Sequence, residues 1–236
     1  MIALLAAALL AAATSLGGVL YAVHCSSCHA ADLHGTANGP SLLGVGGAAV
    51  DFMLTTGRMP LEVPGTEPLP APPQLTRKQI DAVVAYTLAH GAATGPAIPS
   101  VKASTALARG RIVFDDNCQP CHGALGTGAI AGFGWIAPQL REDDPTQIAE
   151  AVRFGPGIMP HFDSRLISDN DLNALVAYVT TFRHPPNVGG YSVESSGPVG
   201  EGLLAWIIGV GSGAVVMVLV GETLRTKSHP PRDEPR

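Results

Sequence analysis

Two short stretches of the 236-residue chain carry residues that could do chemistry: Cys25-Ser26-Ser27-Cys28-His29 and Cys118-Gln119-Pro120-Cys121-His122. They hold all four cysteines of the sequence. Cys-x-x-Cys-His is the attachment signature of c-type haem. The two thiols become thioethers to the porphyrin vinyl groups, and the adjacent histidine swings under the ring to ligate iron. The spacing suits one helical turn, which presents both sulfurs and the imidazole to one porphyrin face. Two other readings compete. A thioredoxin-like redox pair needs a βαβ context, which the sequence lacks. A four-cysteine zinc site leaves both following histidines unexplained. The doubled motif therefore predicts two covalently bound haem c groups.

The sixth iron ligand must come from elsewhere. Methionine is ordinarily a core filler, and the five methionines divide by position. Met1 is the first residue, Met217 lies in an apolar run, and Met53 has no counterpart in the other motif's surroundings. Met59 and Met159 do correspond, each in a Gly-x-Met-Pro sequence 30 and 37 residues after its histidine. The expected iron ligands are His29 with Met59 and His122 with Met159. A His/Met pair raises haem potential and closes the iron to substrates, which points to electron transfer and away from peroxide or oxygen chemistry. Pro40 and Pro138 stand in matching x-Pro-x-Leu steps. A backbone carbonyl there can accept the Nδ1–H of the proximal histidine and fix its orientation; a simple turn proline is the alternative. His24, His34, His90, His161 and His184 have no matched partner and read as surface or pocket-edge residues. Arg58, beside Met59, either pairs with a haem propionate or stands in solvent.

The elements that position these residues are duplicated. Gly17 and Gly110 each lie eight residues before the first cysteine of their motif, and Tyr21 and Phe114 each lie four before it. That spacing marks one face of a helix running into the motif. Each copy ends in an amphipathic helix. Thr76-x-x-Gln79 and Ser168-x-x-Asp171 read as capping boxes, with apolar residues following at Ile80, Val83 and Val84 and at Leu172, Leu175, Val176 and Val179. Tyr86 and Tyr178 hold matching places. Ser104 is the expected N-cap that opens the second copy. Residues 61–73 are too proline-rich for helix or internal strand and predict a surface loop. No stretch alternates with period two for long enough to make a sheet. The fold class is all-α with long loops, and its thin core leaves room for a prosthetic group.

The chain is 46% hydrophobic and 14% charged, with a net charge of −5. Such a composition excludes general disorder, and without a long Lys/Arg block it argues against nucleic acid as a partner. Residues 202–221 are an uncharged run, about 30 Å long as a helix, the thickness of a bilayer's hydrocarbon core. Arg225, Lys227 and Arg232 follow it, which places residues 222–236 in the cytoplasm and the rest outside. Gly209 and Gly213 make a small-xxx-small pair on that helix. The N-terminal run, 2–23, is also uncharged. It reads as an uncut anchor in preference to a cleaved signal, although Ala11 and Ala13 suit a cleavage site. The expected organisation is an N-terminal anchor or signal at 1–16 and a first domain at 17–91. A linker at 92–102 leads to a second domain at 103–184, and an irregular linker at 185–201 to the membrane helix at 202–221.

The Gly-x-x-x-aromatic-x-x-x-Cys-x-x-Cys-His pattern, the Pro-x-Leu step and the Met-Pro pair resemble class I cytochrome c in both copies. More narrowly, GPSLLGVGGAAVDFMLTTGRMP, GIMPHFDSRLISDNDL and the tail GPVGEGLLAWIIGVGSGAVV are similar to the dihaem cytochrome c subunit of the actinobacterial cytochrome bc complex. That resemblance implies two tandem class I domains held on the outer face of the cell membrane. It implies a menaquinol-oxidising, translocase-type oxidoreductase (a quinol–cytochrome c reductase), in which the chain itself is an electron carrier with no catalytic residue of its own. The implied partners are a cytochrome b subunit, a Rieske iron–sulfur protein and a terminal oxidase. One departure stands out: the family has a spacer between anchor and first haem domain, whereas here the apolar run enters the domain directly. Two other readings remain open, a dihaem subunit of a haem-copper oxidase or periplasmic dehydrogenase, and a dihaem peroxidase.

Overall fold

The computed structural model describes residues 15–132, 134–184 and 197–228. The expected anchor or signal segment therefore lies almost wholly outside the described residues, as do most of the 185–201 linker and the last part of the tail. The chain divides into two units, 1–184 and 185–236.

Within the first unit the same plan occurs twice. Helix α1 (Leu16–His24) opens on Ser15, whose Oγ accepts the Gly18 N–H at 3.0 Å, and runs into the single turn α2 (Ser26–His29). Helices α3 (Gly47–Thr55) and α4 (Arg77–Ala89) follow, and a 3-10 turn, Ala92–Thr94, ends the first half. The second half repeats this with α5 (Leu107–Asn117), the single turn α6 (Gln119–His122), α7 (Pro145–Phe154), α8 (Asp169–Thr180) and a 3-10 turn, Thr181–Arg183. In each half the first helix packs against the last long one, α1 on α4 and α5 on α8. The predicted glycines make that crossing possible. A Cβ on Gly17 would run into the Ala82 carbonyl, and one on Gly110 into the Ala174 carbonyl. The aromatics four residues on complete the contact, Tyr21 against Tyr86 (centroids 5.3 Å apart) and Phe114 against Tyr178 (5.7 Å).

Each half has its own core. Leu20, Val50, Leu54, Ile80, Val83 and Val84 gather in the first, and Val113, Phe114, Ile148, Leu172, Leu175 and Val179 in the second. Helices α3 and α7, the equivalent helices that precede each Met-Pro pair, pack on one another and join the halves. Phe52 and Phe154 meet edge to face there, 5.2 Å between centroids.

Several local expectations change. The fold is mostly helical, but a two-stranded antiparallel hairpin, β1 (Ala129–Gly132) and β2 (Trp135–Ala137), interrupts the all-α pattern. It fills the place of the tight Thr36–Gly39 turn of the first half, because His122 and its proline are 16 residues apart where His29 and its proline are 11. Ser104 is not the N-cap of α5, which starts at Leu107; its Oγ accepts from the Ala106 N–H in a turn just upstream. The Thr76 box forms, with the Thr76 N–H donating to Gln79 Oε1 at 2.9 Å. Only half of the Ser168 box forms: Ser168 Oγ accepts the Asp171 N–H, while the Asp171 carboxylate turns to Arg109 at 2.7 and 2.9 Å. A box that the sequence reading passed over, Asp144 with Gln147, opens α7.

The second unit is one helix, α9 (Gly197–Ser228), described by itself. Its candidate spanning stretch runs over Gly202–Arg225, 24 residues whose most apolar 18-residue window has mean hydropathy 2.4, and none of that window is buried. This continues past the expected end at residue 221. By length and composition it is a candidate membrane span.

Candidate haem sites

In both halves the motif sits where the first helix breaks. Cys25 and Cys118 are the joints, and the following turns carry the second cysteine and the histidine. Residue 30 or 123, next in line, takes a positive φ (61° at Ala30, 76° at Gly123), which reverses the chain away from the motif. Glycine does this at no steric cost, whereas Ala30 is strained. The Tyr21 hydroxyl ties the turn down, donating to the Ala30 carbonyl at 2.8 Å. The loop then folds back identically: the Gly35 and Gly128 N–H groups donate to the carbonyls of His29 and His122 at 3.0 and 2.9 Å.

Both motif histidines are buried. His29 Nδ1 lies 2.7 Å from the Pro40 carbonyl oxygen, and His122 Nδ1 lies 2.9 Å from that of Pro138. A carbonyl can only accept, so each Nδ1 carries the proton and each Nε2 keeps its lone pair for a metal. None of the four cysteines is paired in a disulfide, so all four sulfurs are left to bond a prosthetic group. Among the described residues no three or more His, Cys, Asp or Glu side chains converge as a metal site, so the two Cys pairs are not assembled into one zinc centre.

Met59 packs against the core of the first half and Met159 against that of the second. Met59 is fixed by its N–H, which donates to the Met53 carbonyl at 3.0 Å, and Met159 by a bond of the same length to the Pro156 carbonyl. Arg58 is half-buried, its guanidinium 4.8 Å over the Phe52 ring, and burial lowers its pKa while the neighbouring Asp143 opposes that. It belongs to the contact between the halves. His34, His90 and His161 are exposed, as the sequence reading expected, and His90 stacks on Tyr86.

Three charged groups were missed because their roles are set by distant chain. Arg141 has Nε and Nη2 buried with no partner among the described residues. A half-buried arginine with two unpartnered buried donors, just after the Pro138–Leu140 step, fits an anionic group such as a porphyrin propionate. Asp51 and Glu150 face each other across α3 and α7, 1% and 0% exposed. Arg77 holds Asp51 at 2.6 and 2.9 Å, but the Glu150 oxygens meet no donor among the described residues. Burial first, and then the Asp51 charge, push Glu150 up to about 9. It is therefore protonated at neutral pH and can donate to Asp51.

Residues 15–90 match the family model described as Cytochrome c, and residues 105–179 match that of Cytochrome C oxidase, cbb3-type, subunit III. The chain is 38% identical over 203 residues to the cytochrome bc1 complex cytochrome c subunit of Mycobacterium leprae, which covers 82% of this chain and 70% of the relative. It is 32% identical over 231 residues to the subunit of the same name from Corynebacterium diphtheriae, 90% of this chain and 80% of the relative. A cbb3-type cytochrome c oxidase subunit CcoP from Azospirillum is 36% identical over 114 residues, 44% of this chain and 36% of the relative.

Proposed function

Since the chain belongs to the family of cytochrome bc1 complex cytochrome c subunits, we propose that it is a dihaem electron carrier within a quinol-oxidising, translocase-type complex. Residues 17–91 and 103–184 are two tandem class I cytochrome c domains, each holding one covalent haem c. Cys25, Cys28 and Cys118, Cys121 would supply the thioethers, and His29 with Met59 and His122 with Met159 would hold the two irons. Haem supplies the one-electron iron couple when bound. The protein's own part is to orient, exclude and hold. The Pro40 and Pro138 carbonyls fix the imidazole tautomer and ring angle. Met59 and Met159 would bind the iron through their thioethers, which would favour the ferrous state and deny the iron to peroxide and oxygen. Arg141 would neutralise a propionate of a haem bound in the second half. The observation that carries this reading is the repeated histidine–proline carbonyl bond behind each Cys-x-x-Cys-His turn.

On this reading a Rieske iron–sulfur protein would be the electron donor, a terminal oxidase the acceptor and a cytochrome b subunit a further partner, with residues 17–91 serving the donor side and residues 103–184 the acceptor side. The basic residues after the apolar stretch put the C-terminus in the cytoplasm and both haem domains on the outer face. An oxidase subunit is the second reading, favoured by the cbb3-type match, but that match lies in the second half alone. The test is the double variant Cys121→Ser with His122→Ala in the membrane-bound complex. Quinol should still reduce the first haem, while quinol-driven oxygen consumption collapses. Oxygen consumption that survives on the first haem alone would refute the serial order.

A further inference from the structure

Arg153 is the only buried arginine among the described residues, 9% exposed, at the end of α7. Its Nη1 donates to the Phe162 carbonyl at 3.0 Å and to the Ile167 carbonyl at 2.7 Å, and its Nη2 to Asp169 Oδ1 at 2.6 Å. Phe162 and Ile167 lie on the far limb of the loop that carries Met159, and Asp169 opens α8 just beyond it. Beside them the Phe162 N–H donates to the Val152 carbonyl at 2.8 Å. Gly155, in a left-handed conformation, starts the loop, and a side chain there would collide with the Met159–His161 backbone. The loop is thus a closed strap, pinned at both ends to one helix, with Met159 on the strap.

A buried guanidinium is costly unless its donors are satisfied, and an apolar side chain of similar length would fill the space more cheaply. Here its donors go to backbone carbonyls of the strap, so opening the strap strands a buried charge. That makes closure stiff in a way that packing alone does not. The first half has no such residue: its longer Met59 loop is tied by the Gln74 side chain to the Pro60 carbonyl and by the Ala71 N–H to the Thr56 carbonyl.

We propose that Arg153 is a positioning residue that clamps the Met159 strap and so keeps the thioether in the sixth position of the second haem. This rests on Met159 being the ligand of that haem. The test uses the full-length, haem-loaded protein and compares Arg153→Met, Arg153→Lys, Asp169→Ala and Met159→Ala, with the first haem as internal standard. Arg153→Met should halve the weak red charge-transfer band of ferric iron–methionine bonding. It should also open one of the two ferrous haems to carbon monoxide and lower one of two midpoint potentials. Arg153→Lys, which can reach part of the acceptor set, should restore part of the band. Asp169→Ala alters an exposed carboxylate and should fold whatever Arg153→Met does; it should speed carbon monoxide entry at one haem at least tenfold. Unchanged band, potential and carbon monoxide kinetics in Arg153→Lys and Asp169→Ala would overturn the clamp. If Met159→Ala itself leaves the band intact, the ligand assignment fails instead, and the two failures are told apart.

Discussion

The two Met-Pro loops start from equivalent helices, α3 and α7, and carry the same residue pair, yet they are held by different means. The second is a short strap around a buried arginine, with Asp163 further stiffening its tip by bonds to the Arg165 and Leu166 N–H groups at 2.8 and 3.2 Å. The first spans residues 57–75, a longer, proline-rich and largely exposed excursion, tied by bonds from Met59, Ala71 and Gln74. Behind the histidines, by contrast, the halves are nearly superimposable in their bonding. The duplication has kept the proximal side constant and let the distal side diverge. Potential and ligand exchange are governed largely from the distal side, so a haem held in each half should differ from the other there.

The largest effects should come from the distal ligands. Met59→Ala and Met159→Ala should each lower one midpoint potential by on the order of 0.1 V or more, within the range that axial ligands command. Each should open only its own iron to carbon monoxide, read by spectroelectrochemistry and carbon monoxide difference spectra. A variant that changes both haems equally would erase the independence of the halves.

The helix crossings should respond alike. Gly17→Ala and Gly110→Ala each push a methyl into a backbone carbonyl that cannot rotate away, so both should cost about 1–3 kcal/mol or more in chemical denaturation. Similar losses would confirm that the crossings are equivalent, and a harmless Gly110→Ala would deny it.

A smaller contrast lies in loop opening. Amides of Phe162, Leu166 and Ile167, all donors within the strap, should exchange hydrogen at least about tenfold more slowly than those of residues 61–70, since local opening of a poorly bonded loop is cheap. Equal exchange would mean that the arginine adds no stiffness.

The smallest effect concerns the contact between the halves. Glu150 sits at about 9 when folded, against an ordinary value of 4.5. The folded state therefore binds more protons than the unfolded state between those values, and stability falls as pH rises through that window and levels off above it. Glu150→Gln should flatten this slope, so that the variant gains on the parent protein in chemical denaturation as pH rises from about 5 to about 9. A slope that the variant leaves unchanged would assign the pH dependence to other groups.

Much of this was legible in the sequence because it is local. The attachment motif, the glycine and aromatic positions, Met59, Met159 and the two prolines are all read by spacing along one copy and checked by the other. The hairpin at 129–137 was not, since its residues show no alternation beyond Ile130 and Ile136, and the glycines around them look like loop. Ser104 was misplaced because the chain makes one more turn before α5 begins. The charged groups were beyond a sequence reading altogether. Arg141 and Arg153 are ordinary polar residues until tertiary structure buries them, and Asp51 and Glu150 meet only because α3 and α7 pack across the two copies.

The most direct test is carbon monoxide titration of the purified, dithionite-reduced protein alongside a haem count per chain and the ferric spectrum. Two covalent haems per chain, both closed to carbon monoxide and both contributing to the iron–methionine band, are the predicted result. One haem per chain, or carbon monoxide bound at either iron of the unaltered protein, would contradict it.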